Sequence, residues 1–133
     1  MKAFIIDDDE VSIFLAKNKL LSAGFTGTIS SFLSAEEALG KVLPNNETDV
    51  PELILLDLNM PGMSGWEFLE ELEPYKQHFL GKCKIFILTS SLSLDDSTKA
   101  STYDLITGFK HKPLDAGDVQ EILFQLQELN KLV

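Results

Sequence analysis

Leu53-Ile54-Leu55-Leu56-Asp57 is the stretch on which the fold turns: four apolar residues run without a polar break and stop at a carboxylate. A strand with one wet face alternates apolar and polar residues, whereas an unbroken run is what a strand covered on both faces requires. Outward from it the same pattern recurs. Ala3-Phe4-Ile5-Ile6 stops at Asp7-Asp8-Asp9, and Lys84-Ile85-Phe86-Ile87-Leu88 stops at Thr89. Gly27 to Phe32 is a more polar strand, and Thr107 to Lys110 a short one that leads to Lys112.

Longer amphipathic stretches separate these runs. Glu10 to Ala23 reads as a helix with Val11, Phe14, Leu15 and Leu21 on one face, closed by Gly24. Ser34, with Glu37 three residues on, opens a second helix that runs to about Leu43 and ends before Pro44. Residues 44–51 are polar and turn-rich and read as a surface loop. A third helix begins at Trp66, and Pro74 predicts a kink or restart. Ser93 to Tyr103 is a poorly patterned fourth. Asp115 starts a last helix with Val119, Ile122, Leu123 and Leu126 on one stripe, and Phe124 lies off that stripe. Five strand–helix units in succession predict an α/β fold with a five-stranded parallel sheet and helices on both faces.

Composition narrows the function classes. The 133 residues read as one domain over 1–133, with 44% hydrophobic and 24% charged residues. The 21 acids against 11 bases give a net charge of −10, so there is no basic footprint for a phosphate backbone. The single cysteine, Cys83, excludes an internal disulfide framework and a Cys-rich metal site, and a packed or edge thiol is its default reading. Met1 to Asp9 has no signal-peptide core, and no apolar run reaches the length of a membrane span, about 18 residues. These features point to a cytoplasmic domain. Met1 at the start, and a helix reaching nearly to Val133, favour a complete protein.

The residues that end the apolar runs carry the chemistry. In a parallel α/β sheet the strand C-termini share one edge, and ligands bind in the crevice outside it. Asp7, Asp8, Asp57, Thr89 and Lys112 therefore converge: three carboxylates, a hydroxyl and an ammonium. Three carboxylates do not stay ionised side by side without a counter-charge, and a hard divalent cation supplies one. Such a cation beside Lys112 and Thr89 suits a phosphoryl group, with Asp57 as the nucleophile that accepts it. Asp9 is read as the N-cap of the first helix rather than a ligand. His78 and His111 are too isolated to form a ligand set, and exposure is their default reading.

The chain resembles the receiver domains of two-component response regulators, the chemotaxis-regulator-like fold. The resemblance rests on Ile5-Ile6-Asp7-Asp8, on Leu55-Leu56-Asp57-Leu58-Asn59-Met60-Pro61-Gly62-Met63-Ser64-Gly65, on Leu88-Thr89-Ser90 and on Lys112-Pro113-Leu114. It covers essentially the whole chain and implies the flavodoxin-like (βα)5 fold. It implies that Asp57 is the phosphorylated residue and that Mg²⁺ or Mn²⁺ is held by Asp7, Asp8, Asp57 and the backbone carbonyl of Asn59. Thr89 and Lys112 would contact the phosphoryl oxygens. Thr89 and Phe109 occupy the family's switch positions, although Phe109 lacks the hydroxyl of the frequent Tyr. Asn59 and Ser91 stand where phosphate lifetime is tuned, and the Lys112–Pro113 bond would be cis. Tyr103, Phe109 and Phe124 form the aromatic set on the fourth helix, fifth strand and fifth helix, where such receivers exchange partners.

The implied partners are a sensor histidine kinase or a histidine phosphotransfer protein as donor, and a downstream protein target. The domain would be no enzyme beyond catalysing its own phosphorylation and dephosphorylation, and would carry no output domain. Two alternatives stand beside this reading. A haloacid-dehalogenase-like phosphatase would carry a second Asp where this chain has Asn59. A non-phosphorylated pseudo-receiver would lack one of the five convergent residues.

Overall fold

The computed structural model describes residues 1–43, 50–90 and 94–130. Five strands, β1 (Lys2–Ile6), β2 (Thr28–Phe32), β3 (Leu53–Leu56), β4 (Lys84–Thr89) and β5 (Ile106–His111), form one sheet. Every pairing is parallel, in the order β2-β1-β3-β4-β5. The helices are α1 (Glu10–Ser22), α2 (Ala35–Val42), α3 (Gly65–Leu72), α4 (Lys76–Phe79), α5 (Leu94–Ala100) and α6 (Ala116–Asn130). The expected (βα)5 arrangement is present, with the flavodoxin-like strand order.

The unbroken apolar runs occupy the sheet centre. All four residues of β3 are buried, and their alternate side chains feed two separate cores. Leu53 and Leu55 join Ile13, Leu20, Val119 and Ile122, which belong to α1 and α6. Ile54 and Leu56 join Ala38, Phe68, Leu69 and Phe79 on the opposite face. Burying a large apolar side chain contributes about 1.5–3 kcal/mol, so this two-sided burial is a dominant stabilising term.

Helix boundaries follow their caps. The Asp9 carboxylate accepts from the Val11 N–H at 2.9 Å, and Ser34 accepts from the Glu37 N–H at 3.2 Å. Ser64 and Glu67 close a reciprocal capping box at α3. Gly24 follows α1 with a φ of +101°, a region that disfavours other residues. Pro74 acts as expected: α3 ends at Leu72, a 3₁₀ turn covers Glu73–Tyr75, and α4 restarts the helix. Asp115 caps α6, accepting from the Asp118 N–H at 2.7 Å. The loop expected over 44–51 falls mostly outside the described residues, as do the helix start at Ser93 and the tuning position Ser91.

Three expectations need correction. The stripe Val11, Phe14, Leu15 and Leu21 faces solvent, with exposures of 64%, 63%, 45% and 47%. The buried face of α1 is Ile13, Ala16 and Leu20. Apolar residues surround this helix, so spacing admits two stripes; the one centred on small Ala16 lets the backbone lie close to the sheet. Tyr103 is also not on a helix, because α5 ends at Ala100 and Tyr103 lies in the turn before β5. The α6 stripe is as expected, and Phe124 is 57% exposed. His111 is exposed as expected, whereas His78, also expected to be exposed, is half-buried.

Candidate functional site

Strand order reverses between β1 and β3, so the connections leaving these strands diverge and open a crevice at their C-terminal ends. Asp7 and Asp57 are the first residues past the paired ends Ile6 and Leu56. Main-chain bonds continue the ladder through them. The Asp57 N–H donates to the Ile6 carbonyl at 3.0 Å, and the Asp7 N–H to the Phe32 carbonyl at 3.0 Å. Both carboxylates are therefore positioned by the sheet itself.

Asp7 and Asp57 are buried, whereas Asp8 and Asp9 are exposed. Asp7 Oδ1 accepts the Asp9 N–H at 2.9 Å, which fixes the turn into α1. One carboxylate oxygen each from Asp7, Asp8 and Asp57 lie within 4.8 Å of one another, and they are the acids expected to gather. That donor set, hard oxygens of like charge at one point, fits a divalent cation such as Mg²⁺. Asp9 stays with its cap.

Lys112 arrives from beyond β5. Its N–H donates to the Thr89 carbonyl at 2.9 Å, which ties it to the end of β4. Its Nζ lies 2.6 Å from Asp7 Oδ2 and 3.5 Å from Asp57 Oδ2. Burial pushes the Lys112 ammonium toward deprotonation, but its bonds to Asp7 and the charge of Asp57 outweigh that and hold its pKa above the ordinary lysine value. Burial raises the Asp57 carboxyl; Lys112 pulls it down and Asp7 pushes it up, leaving it above the usual aspartate range. The Lys112–Pro113 bond is cis, as the resemblance implied.

Thr89 is buried at the end of β4, opposite His111 across the ladder. Ser90 beside it is exposed. The Asn59 N–H donates to Asp57 Oδ1 at 3.4 Å, so the Asn59 main chain runs alongside the carboxylate. Phe109 is half-buried on β5 opposite Ile87, packed against the core of the α2–α3 face.

Sequence spacing did not single out Gly65 for its geometry. A Cβ there would stand 2.5 Å from the Asp57 carbonyl oxygen and 2.9 Å from Leu58 Cα. The start of α3 thus rests directly on the main chain of Asp57, which only glycine permits. The signal available was a glycine immediately after the capping serine.

The family model described as the response regulator receiver domain matches residues 3–124. The chain belongs to the response-regulator receiver family. The receiver is similar to a two-component response regulator from Cytophaga hutchinsonii: 28% identity, 95% of this chain and 96% of that one covered, TM-score 0.86. It is also similar to a two-component response regulator from Legionella pneumophila, at 29% identity, with 96% and 98% of the chains covered and a TM-score of 0.80. Among curated relatives, the alkaline phosphatase synthesis transcriptional regulatory protein PhoP of Bacillus subtilis is 30% identical over 99% of this receiver, which spans 46% of that protein. Receivers are phosphoacceptor signalling domains, and an acidic pocket is where they bind Mg²⁺. Among the described residues, no helix is long and apolar enough to cross a membrane.

Proposed function

We propose that the protein is a response-regulator receiver that accepts a phosphoryl group onto Asp57 in a Mg²⁺-dependent reaction. The observation that carries this reading is the juxtaposition of Asp7, Asp8 and Asp57 with Lys112 at the strand switch point. An Asp57 carboxylate oxygen attacks phosphorus; the new P–O bond forms as the donor's P–N bond breaks, and the departing imidazole keeps the electron pair. Asp7, Asp8, Asp57 and the Asn59 carbonyl would hold Mg²⁺, which when bound neutralises charge on the phosphoryl oxygens. Lys112 carries positive charge to those oxygens, and the Thr89 hydroxyl donates to one of them.

The donor is a phosphohistidine of a sensor kinase or phosphotransfer protein. It approaches past Asp9, Val11, Ser12 and Leu15 of the α1 end and Lys112-Pro113, which line a cavity of about 390 Å³. The signal leaves through Thr89 and Phe109 as a change of surface offered to a downstream protein, or by passing the phosphate on. The receiver works in the cytoplasm without direct contact with nucleic acid, its net charge of −10 repelling a phosphate backbone. Asn59, in place of a second catalytic acid, disfavours a phosphatase that turns over exogenous esters.

Acetyl phosphate with Mg²⁺ is expected to label the wild-type protein once and Asp57→Ala not at all. Equal labelling of that variant contradicts the assignment of Asp57.

A further inference from the structure

The cavity between α1 and the segment after β5 has a mixed lining that attack by Asp57 does not require. α1 supplies the apolar Val11 and Leu15, and the other side supplies Pro113. Both α1 side chains are large and exposed, so the hydrophobic core does not account for them. Asp9, Ser12 and Lys112 are the polar residues beside them. Lys112 joins the cavity to the acceptor, because its Nζ lies 3.5 Å from Asp57 Oδ2.

The Asp9 carboxylate is fixed at this cavity. Its Oδ1 accepts the Val11 N–H at 2.9 Å, and its Oδ2 accepts the Ser12 hydroxyl at 3.2 Å. The Asp9 N–H donates to Asp7 Oδ1 at 2.9 Å, which ties this residue to the acidic site. An ionised carboxylate offers about four acceptor directions, so the exposed group keeps capacity for a ligand. Capping α1 needs the oxygen and not the full charge, since Asn caps as well as Asp. The charge of Asp9 therefore calls for a second role. Next to Asp7, Asp8 and Asp57 it disfavours any further anion and favours an N–H donor.

We infer that Asp9, with Val11 and Leu15, selects the phosphodonor by its leaving group: the carboxylate accepts the free N–H of a departing imidazole-type ring, and the apolar pair contacts the ring. The inference rests on the phosphoacceptor reading and deepens it, because it names the residues that discriminate among donors. As an Asp57 oxygen bonds to phosphorus, the P–N bond breaks and its electron pair goes to the ring nitrogen. A ring protonated on its other nitrogen then leaves as neutral imidazole, and the charge of Asp9 favours that protonated form. Acetyl phosphate releases acetate instead, an anion with no N–H for Asp9. Phosphoramidate releases ammonia, which brings no ring to Val11 and Leu15.

The test compares initial rates of labelling by phosphoimidazole, phosphoramidate and acetyl phosphate, each with Mg²⁺, read by intact-protein mass spectrometry. Wild type, Asp9→Asn and Leu15→Ala are used. All three donors deposit the same phosphoryl group, so damage to Asp57 or to Mg²⁺ binding alters every rate together and cancels in their ratios. Asp9→Asn keeps the cap and is expected to lower the ratio of phosphoimidazole to acetyl phosphate roughly tenfold, the difference between a charged and a neutral acceptor. Leu15→Ala, at an exposed position, is expected to lower the ratio of phosphoimidazole to phosphoramidate roughly threefold, about one methylene group of lost contact. Either ratio unchanged from wild type overturns the inference while leaving Asp57 as the acceptor. Failure of all three donors to label the wild type overturns the phosphoacceptor reading and the inference with it.

Discussion

The Lys112 ammonium stands 2.6 Å from Asp7 and 3.5 Å from Asp57, so one cation is shared between two buried carboxylates that the ends of β1 and β3 hold side by side. The pair is charged −2 before Lys112 is counted, and exposed Asp8 adds a third carboxylate within reach. One ammonium cannot balance three acids. The site is therefore electrostatically loaded, and that loading is what a divalent cation relieves.

Asp57→Asn is expected to raise the melting temperature by a few degrees at neutral pH. Burial, then the charge of Asp7, lifts the folded-state pKa of Asp57 above the ordinary value of 3.8, although Lys112 opposes the shift. The folded protein therefore holds that proton more tightly than the unfolded chain. Stability falls as pH rises from the ordinary aspartate pKa through the raised one, and the penalty is full above that window. Melting curves of wild type and variant should converge as pH is lowered through the window; a variant less stable than wild type at neutral pH contradicts the account.

Mg²⁺ is expected to stabilise the wild type by mass action, about 2.7 kcal/mol at a hundredfold excess over its dissociation constant. Asp8 is exposed, so Asp8→Ala is expected to fold normally and lose most of that response. Thermal melts with and without Mg²⁺ decide it. An equal response in both proteins removes Asp8 from the site.

Gly65→Ala forces a methyl group to within 2.5 Å of the Asp57 carbonyl oxygen, so the Asp57 main chain has to shift. A displacement on the ångström scale costs on the order of 10–100-fold in a positioned reaction. The rate of labelling by acetyl phosphate is expected to fall by that factor, with the far-ultraviolet circular dichroism unchanged. A wild-type rate removes the glycine from the site's support.

Leu20 and Leu21 are neighbours of the same type with opposite surroundings, 0% and 47% exposed. Leu20→Ala is expected to cost about 2–5 kcal/mol. Leu21→Ala is expected to stay within about 0.5 kcal/mol of wild type. Urea denaturation of the two variants reads the orientation of α1 directly, and the reverse order restores the stripe that spacing suggested.

That pair of leucines also shows where sequence reading ends. Strand positions and the acidic edge were legible because an unbroken apolar run followed by a polar residue has one physical solution, a buried strand whose C-terminus opens on a ligand crevice. Asp7, Asp57, Thr89 and Lys112 all lie at such ends, so their convergence followed from the chain direction of a parallel sheet. The α1 face did not follow, because Val11, Phe14 and Leu15 are as apolar as Ile13 and Leu20, and only the closeness of the sheet to Ala16 chooses between them. The stack of the Trp66 ring on Tyr103 left no trace in spacing either. It joins a helix start to a turn after α5, and no periodicity links those positions. Gly65 was visible as a residue, but its close approach to Asp57 belongs to the three-dimensional path of the loop.

The central claim is that Asp57 is the acceptor, and one chemical measurement reads it directly. Protein treated with phosphoramidate and Mg²⁺ is reduced with borohydride, which converts an aspartyl phosphate to homoserine, and the modified residue is located by peptide mass spectrometry. Homoserine at position 57, dependent on both reagents, is the predicted result. Homoserine at another aspartate, or none in protein that retains its fold and binds Mg²⁺, contradicts the account.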